Sequence, residues 1–221
     1  MSEGTYAVLG TGVVGRTLGS RLVGLGNAVV MGSRQAGNGT AVAWAAEAGE
    51  LASEGSFADA AAAGHTVINA TAGTASLAAL GSAGEDRLAG KVLIDVSNPL
   101  DFSQGMPPRL SVCNDDSLAE QLQRAFPDAR VVKALNTVNC DVMVNPSVVP
   151  GRHSMFVCGN DAAAKDQVRD LLVRFGWPAE DVMDLGDIAG ARGMEMYLPL
   201  WLRLRGATGT GHMNINVARE R

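Results

Sequence analysis

The chain is poor in residues that ligate, cross-link or shuttle protons, with three cysteines, three histidines and three lysines in 221 residues. Cys113, Cys140 and Cys158 form no CxxC pair and are odd in number, which argues against a zinc site or a disulfide framework and points to reduced thiols. No metal is expected. His65 opens a buried strand, His153 follows a glycine loop and His212 sits in a Gly-His turn, so none has a convincing acid-base setting. The only tyrosines, Tyr6 and Tyr197, lack a lysine four positions later, which excludes the Tyr-x-x-x-Lys pair of short-chain dehydrogenases. No apolar run approaches the roughly 18 residues of a membrane span. Met1-Ser2-Glu3-Gly4 passes into an apolar strand without a basic region, so no secretory leader is expected. A net charge of −5 gives no global attraction for nucleic acid or a membrane surface. The expectation is a cytoplasmic protein with small-molecule partners.

What is present is a full core and a regular alternation. Hydrophobic residues make up 47% and charged residues 19%, the balance of an ordinary globular protein. Apolar strands are predicted at Thr5 to Leu9, Ala28 to Met31, near Leu51, and at His65 to Asn69, Lys91 to Asp95, Arg130 to Ala134, Met155 to Cys158 and Val182 to Leu185. Between them the spacing predicts helices at Val13 to Leu25, Thr40 to Ala48, Phe57 to Ala63 with Ser56 as N-cap, after Thr74, at Ser117 to Phe126 and at Ala162 to Phe175. Such alternation specifies an α/β fold, a Rossmann-type doubly wound and mostly parallel sheet. Leu100 to Asp116, with Gly105 and Pro107-Pro108, reads as the longest irregular stretch. A last helix from Arg192 to Leu204 groups Met194, Tyr197, Leu198 and Trp201 on one side, as core or as the interface of a homodimer, and Met213 to Val217 reads as a closing strand.

The sharpest motif is Gly10-Thr11-Gly12-Val13-Val14-Gly15, a G-x-G-x-x-G directly after a strand and at a helix start. Gly10 permits the tight turn, Gly12 admits a pyrophosphate, Gly15 lets helix and strand pack, and the helix N-terminus holds the anion. An acid about 20 residues further on would bind the ribose hydroxyls of NAD. Here the second strand ends in Ser33-Arg34 instead. A hydroxyl and a guanidinium suit a 2′-phosphate, so NADP(H) is the expected dinucleotide. Ligands in such sheets lie outside the strand carboxyl ends, which brings in Ala70, Thr71, Ala72 and Asn98 on the nicotinamide side.

No catalytic acid or base stands out. Lys133, inside an apolar strand near Asn136, reads either as a buried proton donor or as a structural or phosphate-facing lysine. The lack fits a hydride passing between two stacked heterocycles that the protein positions.

With GTGVVG, the strand end MGSR, the strand-turn KALNT, VCGND before an alanine-rich helix, Leu185-Gly186-Asp187 and Ala191-Arg192 in order, the chain resembles the F420-dependent NADP oxidoreductase family along nearly its whole length. The resemblance implies an NADP-binding Rossmann domain over 1–139 and a small α/β portion over 140–221 that closes a second-cofactor pocket. It implies hydride exchange between nicotinamide C4 and the C5 of coenzyme F420, with Asn136, Thr137 and Val138 as the wall facing the deazaflavin. Asn136 and Asn139 depart from the histidine and proline common in the family, and Ala72-Gly73 replaces a bulkier Pro-Trp pair. A flavin or metal reductase, an imine or carbonyl reductase using Lys133, and a non-catalytic NADPH sensor are the alternatives.

Overall fold

A computed structural model of the chain describes residues 4–218 and 220; Met1 to Glu3, on which the reading of the leader rests, lie outside them. The strands are β1 (Tyr6–Leu9), β2 (Val29–Ser33), β3 (Ala52–Ser56), β4 (Thr66–Asn69), β5 (Val92–Asp95), β6 (Leu100–Asp101), β7 (Arg109–Leu110), β8 (Arg130–Ala134), β9 (Met155–Gly159) and β10 (Val182–Asp184). The helices are α1 (Val13–Gly24), α2 (Gly39–Ala48), α3 (Phe57–Ala63), α4 (Ser76–Ala83), α5 (Glu85–Leu88), α6 (Leu118–Ala125), α7 (Cys140–Val144), α8 (Ala162–Phe175), α9 (Ala191–Met196) and α10 (Leu198–Thr208).

Eight strands form one sheet in the order β10-β9-β8-β5-β4-β1-β2-β3. All its pairings are parallel except β8 with β9, where Lys133 stands opposite Cys158. Because side chains alternate along a strand, Tyr6 and Val8 enter the core on one face while Ala7 and Leu9 enter the other. Both faces are covered by helices, which is why the central strands read as unbroken apolar runs. Strand order reverses between β1 and β4, so a crevice opens beyond their carboxyl ends.

Local chemistry explains the helix starts. Ser56 accepts from Asp59 N–H while the Asp59 carboxylate accepts from Ser56 N–H, a reciprocal cap for α3. Ser117 and Asp161 cap α6 and α8 one way, accepting from Glu120 N–H and Ala164 N–H.

Three expectations are corrected. Leu100 to Asp116 is not wholly irregular, because β6 and β7 pair antiparallel within it. The last helix is two, α9 and α10, joined at Tyr197 with Pro199 in the first turn of α10, where its missing N–H does no harm. Residues 213–217 form no strand, and a single backbone bond, Ser154 N–H to Ile215 O at 2.8 Å, takes the place of a ladder. Helix α7 was unforeseen, since five residues give no readable period.

Candidate active site

The turn from β1 to α1 gives each fingerprint glycine a separate job. Gly10 has φ +121°, and a Cβ there would sit 2.5 Å from the Ala70 carbonyl oxygen. A Cβ on Gly15 would sit 2.0 Å from the Gly10 carbonyl oxygen, so only glycine lets α1 lie on the turn. A Cβ on Gly12 would meet nothing within 4 Å. Gly12 is therefore not demanded by the protein's own packing, and its open side lies at the N-terminus of α1, which has no side-chain cap and no acid in its first turn. That is the arrangement an incoming phosphate requires.

At the end of β2, Ser33 is buried and its hydroxyl donates to Gln35 O at 2.5 Å, shaping the turn. Arg34 is exposed and makes no ion pair among the described residues. Glu54, unnoticed in the sequence, accepts from Gly37 N–H with both carboxylate oxygens and fixes the loop that follows. Val13 turns its side chain away, into a groove between α1 and α2 beside Arg16 and Trp44.

A cleft of about 270 Å³ adjoins the turn. It brings together Val14, Ala70, Thr71, Ala72, Asn98, Asn136 and Val138 from the sequence-derived set. Thr137 is buried and Thr11 half-buried, and neither lines the cleft. Cys140, Met143, Leu198 and Trp201 also line it and fall outside the sequence-derived set. Leu198 and Trp201 carried a helical apolar stripe that was read as core or interface; they are buried in this chain and form a wall of the cleft. Met194 is buried too, so most of the face expected to meet a second copy is used internally.

Asn98 and Asn136 clasp one another across the mouth. Asn98 Nδ2 donates to Asn136 O at 2.9 Å, and Asn136 Nδ2 donates to Asn98 Oδ1 at 2.9 Å and to Met194 O at 3.1 Å. Behind this wall lies a buried polar network. Asn69 Oδ1 accepts from the Thr71 hydroxyl at 2.7 Å, and Asn69 Nδ2 donates to Asp95 Oδ1 at 2.9 Å and Ser76 Oγ at 3.0 Å. Lys133, wholly buried, contacts Asp95 at 2.7 Å, Glu195 at 2.7 Å and Ser97 O at 2.7 Å. Burial works against its charge, but the two carboxylates outweigh it and hold the ammonium above the ordinary lysine pKa. Of the two readings of Lys133, the structural one holds, because every ammonium bond points into the protein. The parallel register of β5 and β8 sets Asp95 opposite Lys133, a pairing that only the folded sheet reveals. Glu195 left no signal in the sequence.

No group of three or more His, Cys, Asp or Glu side chains among the described residues could hold a metal ion. No helix among them is long and apolar enough to cross a membrane.

A doubly wound sheet with a phosphate-accepting glycine turn and an apolar cleft beside it defines a dinucleotide-dependent oxidoreductase of the Rossmann type. Comparison with known proteins narrows this. The family described as NADP oxidoreductase, coenzyme F420-dependent, matches residues 5–99. A crystal structure from Arthrobacter sp. FB24, of a candidate F420-dependent NADP reductase, is 51% identical, covers 98% of this chain and 100% of that one, and superposes with a TM-score of 0.92. The F420-dependent NADP reductase of Methanocaldococcus jannaschii is 31% identical over 121 residues, 54% of this chain and 53% of that protein. The metalloreductase STEAP3 of Rattus norvegicus is 33% identical over 199 residues, 88% of this chain and 37% of that protein. The chain thus spans between about a third and a half of the length of these two curated relatives. It belongs to the coenzyme F420-dependent NADP oxidoreductase family.

Proposed function

We propose that the protein transfers hydride between NADP(H) and coenzyme F420. The observation that carries this reading is the cleft lining: apart from the Cys140 thiol, it holds no ionisable side chain. A carbonyl reductase needs a proton donor at the reacting oxygen, whereas transfer between two rings needs alignment and dryness. When bound, the nicotinamide supplies or takes the hydride at C4 and the deazaflavin at C5.

The chain's own residues then have the following roles. Gly10, Gly12 and Gly15, with the N–H groups of Thr11 before the helix and of Val13 and Val14 in its first turn, receive the pyrophosphate. Ser33 shapes the turn and Arg34 pairs with the 2′-phosphate. Ala70, Thr71, Ala72 and Asn98 bound the nicotinamide, with Thr71 held in place by Asn69. Asn136, Thr137 and Val138 face the second ring, and the residues from 140 onward close that side through Cys140, Leu198 and Trp201. The small side chains at Ala70 and Ala72 leave width for stacked rings, and Val14, Val96 and Val138 keep water out.

A flavin as second substrate is the competing reading, favoured by the metalloreductase relative that aligns with most of this chain. Mixing the protein with NADPH and F420, FMN or FAD in turn, and following nicotinamide absorbance, separates the two. Oxidation of NADPH by F420 alone supports the proposal; turnover with a flavin and none with F420 overturns it. A homodimer belongs to the same reading, although Met194, Leu198 and Trp201 of the expected interface are buried within this chain. A monomer mass by light scattering at micromolar concentration would remove it.

A further inference from the structure

Helix α7 is five residues long, too short to hold itself together, yet it presents Cys140 and Met143, three positions apart, to the cleft. Helix α10 presents Leu198 and Trp201 to the same cleft. The segment that leaves α10, residues 209–217, has no helix or strand and makes contact near both ends of α7. At the first end, His212 Nε2 lies 2.9 Å from Asp141 Oδ2, and a Cβ on Gly211 would lie 3.1 Å from the side-chain nitrogen of Asn139, the N-cap of α7. Towards the far end, Asn214 Nδ2 donates to His153 Nδ1 at 3.0 Å and to Ser154 O at 2.8 Å.

The polarity of this second contact is fixed. Asn214 Oδ1 accepts from Ile215 N–H at 2.8 Å, so the amide cannot be turned over and His153 Nδ1 must accept. The His153 proton then sits on Nε2, which donates to Pro146 O at 3.1 Å, just past α7. His153 also stands edge-on to Trp177, with ring centroids 5.1 Å apart, and Trp177 Nε1 donates to Met143 O at 3.0 Å. The Met143 carbonyl is one that a helix end leaves unpaired, so this bond places that side of the cleft. A line of contacts thus runs from Asn214 through His153 and Trp177 to Met143. Ser154, the residue before β9, moors the segment to the sheet: its N–H donates to Ile215 O at 2.8 Å and its hydroxyl accepts from Val217 N–H at 3.1 Å.

We propose that residues 209–217 are a positioning strap, which ties α10 to both ends of α7 and so sets the width of the cleft, with His212 and Asn214 as its fasteners. Neither residue lines the cleft, so each acts through the wall it holds. A ring lying between two walls feels a change in their spacing, whereas a dinucleotide held at the glycine turn does not. The inference rests on the reading of the cleft as the place where the second ring binds.

The test reads the wall itself as well as turnover. Cys140 is 8% exposed, and its alkylation by iodoacetamide, followed by mass spectrometry, reports how often that wall opens. Cys158, wholly buried, reports loosening of the entire chain. Asn214→Leu keeps the volume and removes the amide. His212→Ala removes one half-exposed contact and should leave a folded protein, and His212→Gln keeps a donor for Asp141. Alkylation of Cys140 should rise about tenfold in Asn214→Leu, the worth of one hydrogen bond, and about threefold in His212→Ala, the scale of an exposed ion pair, with Cys158 unreactive. The KM for F420 should rise by the same factors, kcat and NADPH affinity should stay within about twofold, and His212→Gln should match wild type. Unchanged Cys140 alkylation in both alanine and leucine variants overturns the inference, and so does a parallel rise at Cys158, which would mark general loosening. Faster Cys140 alkylation with an unaltered KM for F420 overturns it as well. If wild-type protein turns over neither F420 nor a flavin, the proposed function fails, while Cys140 alkylation still decides whether the strap holds the wall.

Discussion

Lys133 Nζ and Glu195 Oε1 lie 2.7 Å apart with both side chains buried, and through this contact the end of β8 grips α9. Glu195 also accepts from Leu118 N–H at 2.8 Å and Ala119 N–H at 3.2 Å, at the start of α6. Three elements behind the cleft wall are thereby locked by one carboxylate. Lys133→Met leaves Asp95 and Glu195 buried without their cation, and should cost about 3 to 5 kcal/mol in urea unfolding. The folded pKa of Lys133 is raised, so its stabilisation is complete below the unfolded lysine value near 10.4 and disappears only as pH rises through the higher folded value. A loss of stability from this group that begins near pH 8 would show that the ammonium is not held this way.

The fingerprint glycines should separate binding from folding. Gly12→Val enters open space, so its melting temperature should stay near that of wild type while dinucleotide binding is lost. Gly15→Ala drives a methyl into the Gly10 carbonyl and should lower the melting temperature by several degrees. Calorimetric titration beside thermal melts checks both, and NADPH binding by folded Gly12→Val would refute the assignment of the phosphate site.

Arg34→Ala should weaken NADPH binding by about 1 to 3 kcal/mol, the scale of hydrogen bonds to charged groups, and leave NADH binding almost unchanged. Equal losses for the two dinucleotides would place the 2′-phosphate elsewhere.

Val138→Trp adds an indole to the cleft at the wall proposed to face the second ring. Turnover with F420 or a flavin should fall at least tenfold while NADPH still binds. A variant with full turnover, or one that loses NADPH affinity and turnover together, would contradict this division of the cleft.

Burial pushes the Cys158 thiol up to about 12, beside Ile188 O and Met194 Sδ. With so little thiolate at pH 8, Cys158 should remain unalkylated by iodoacetamide under native conditions and react once the chain is unfolded. Mass spectrometry of the peptides reads the result directly.

Much of the architecture was legible because its signals are local. The β1 to α1 turn needs glycine at 15 for a steric reason that acts within a few residues, and Ser56 caps its helix with its own side chain. Strand β8 and helix α8 were readable to the residue, since a buried strand and an amphipathic helix each impose a period. Signals failed where a segment was too short for a period, as in α7, or where one backbone bond replaced a ladder, as at Ile215.

The sequence by itself determined the doubly wound class, the glycine turn and the replacement of an acid by Ser33-Arg34, because each is a matter of neighbours along the chain. Only the tertiary structure decided what Lys133 does, since its partners lie on β5 and α9 and no spacing reveals them. It also turned Leu198 and Trp201 into a cleft wall. An apolar helical stripe records that a face is buried, and only the tertiary placement of α10, which sets Leu198 and Trp201 around one cleft with Asn136 and Val138, determines what that face is buried against.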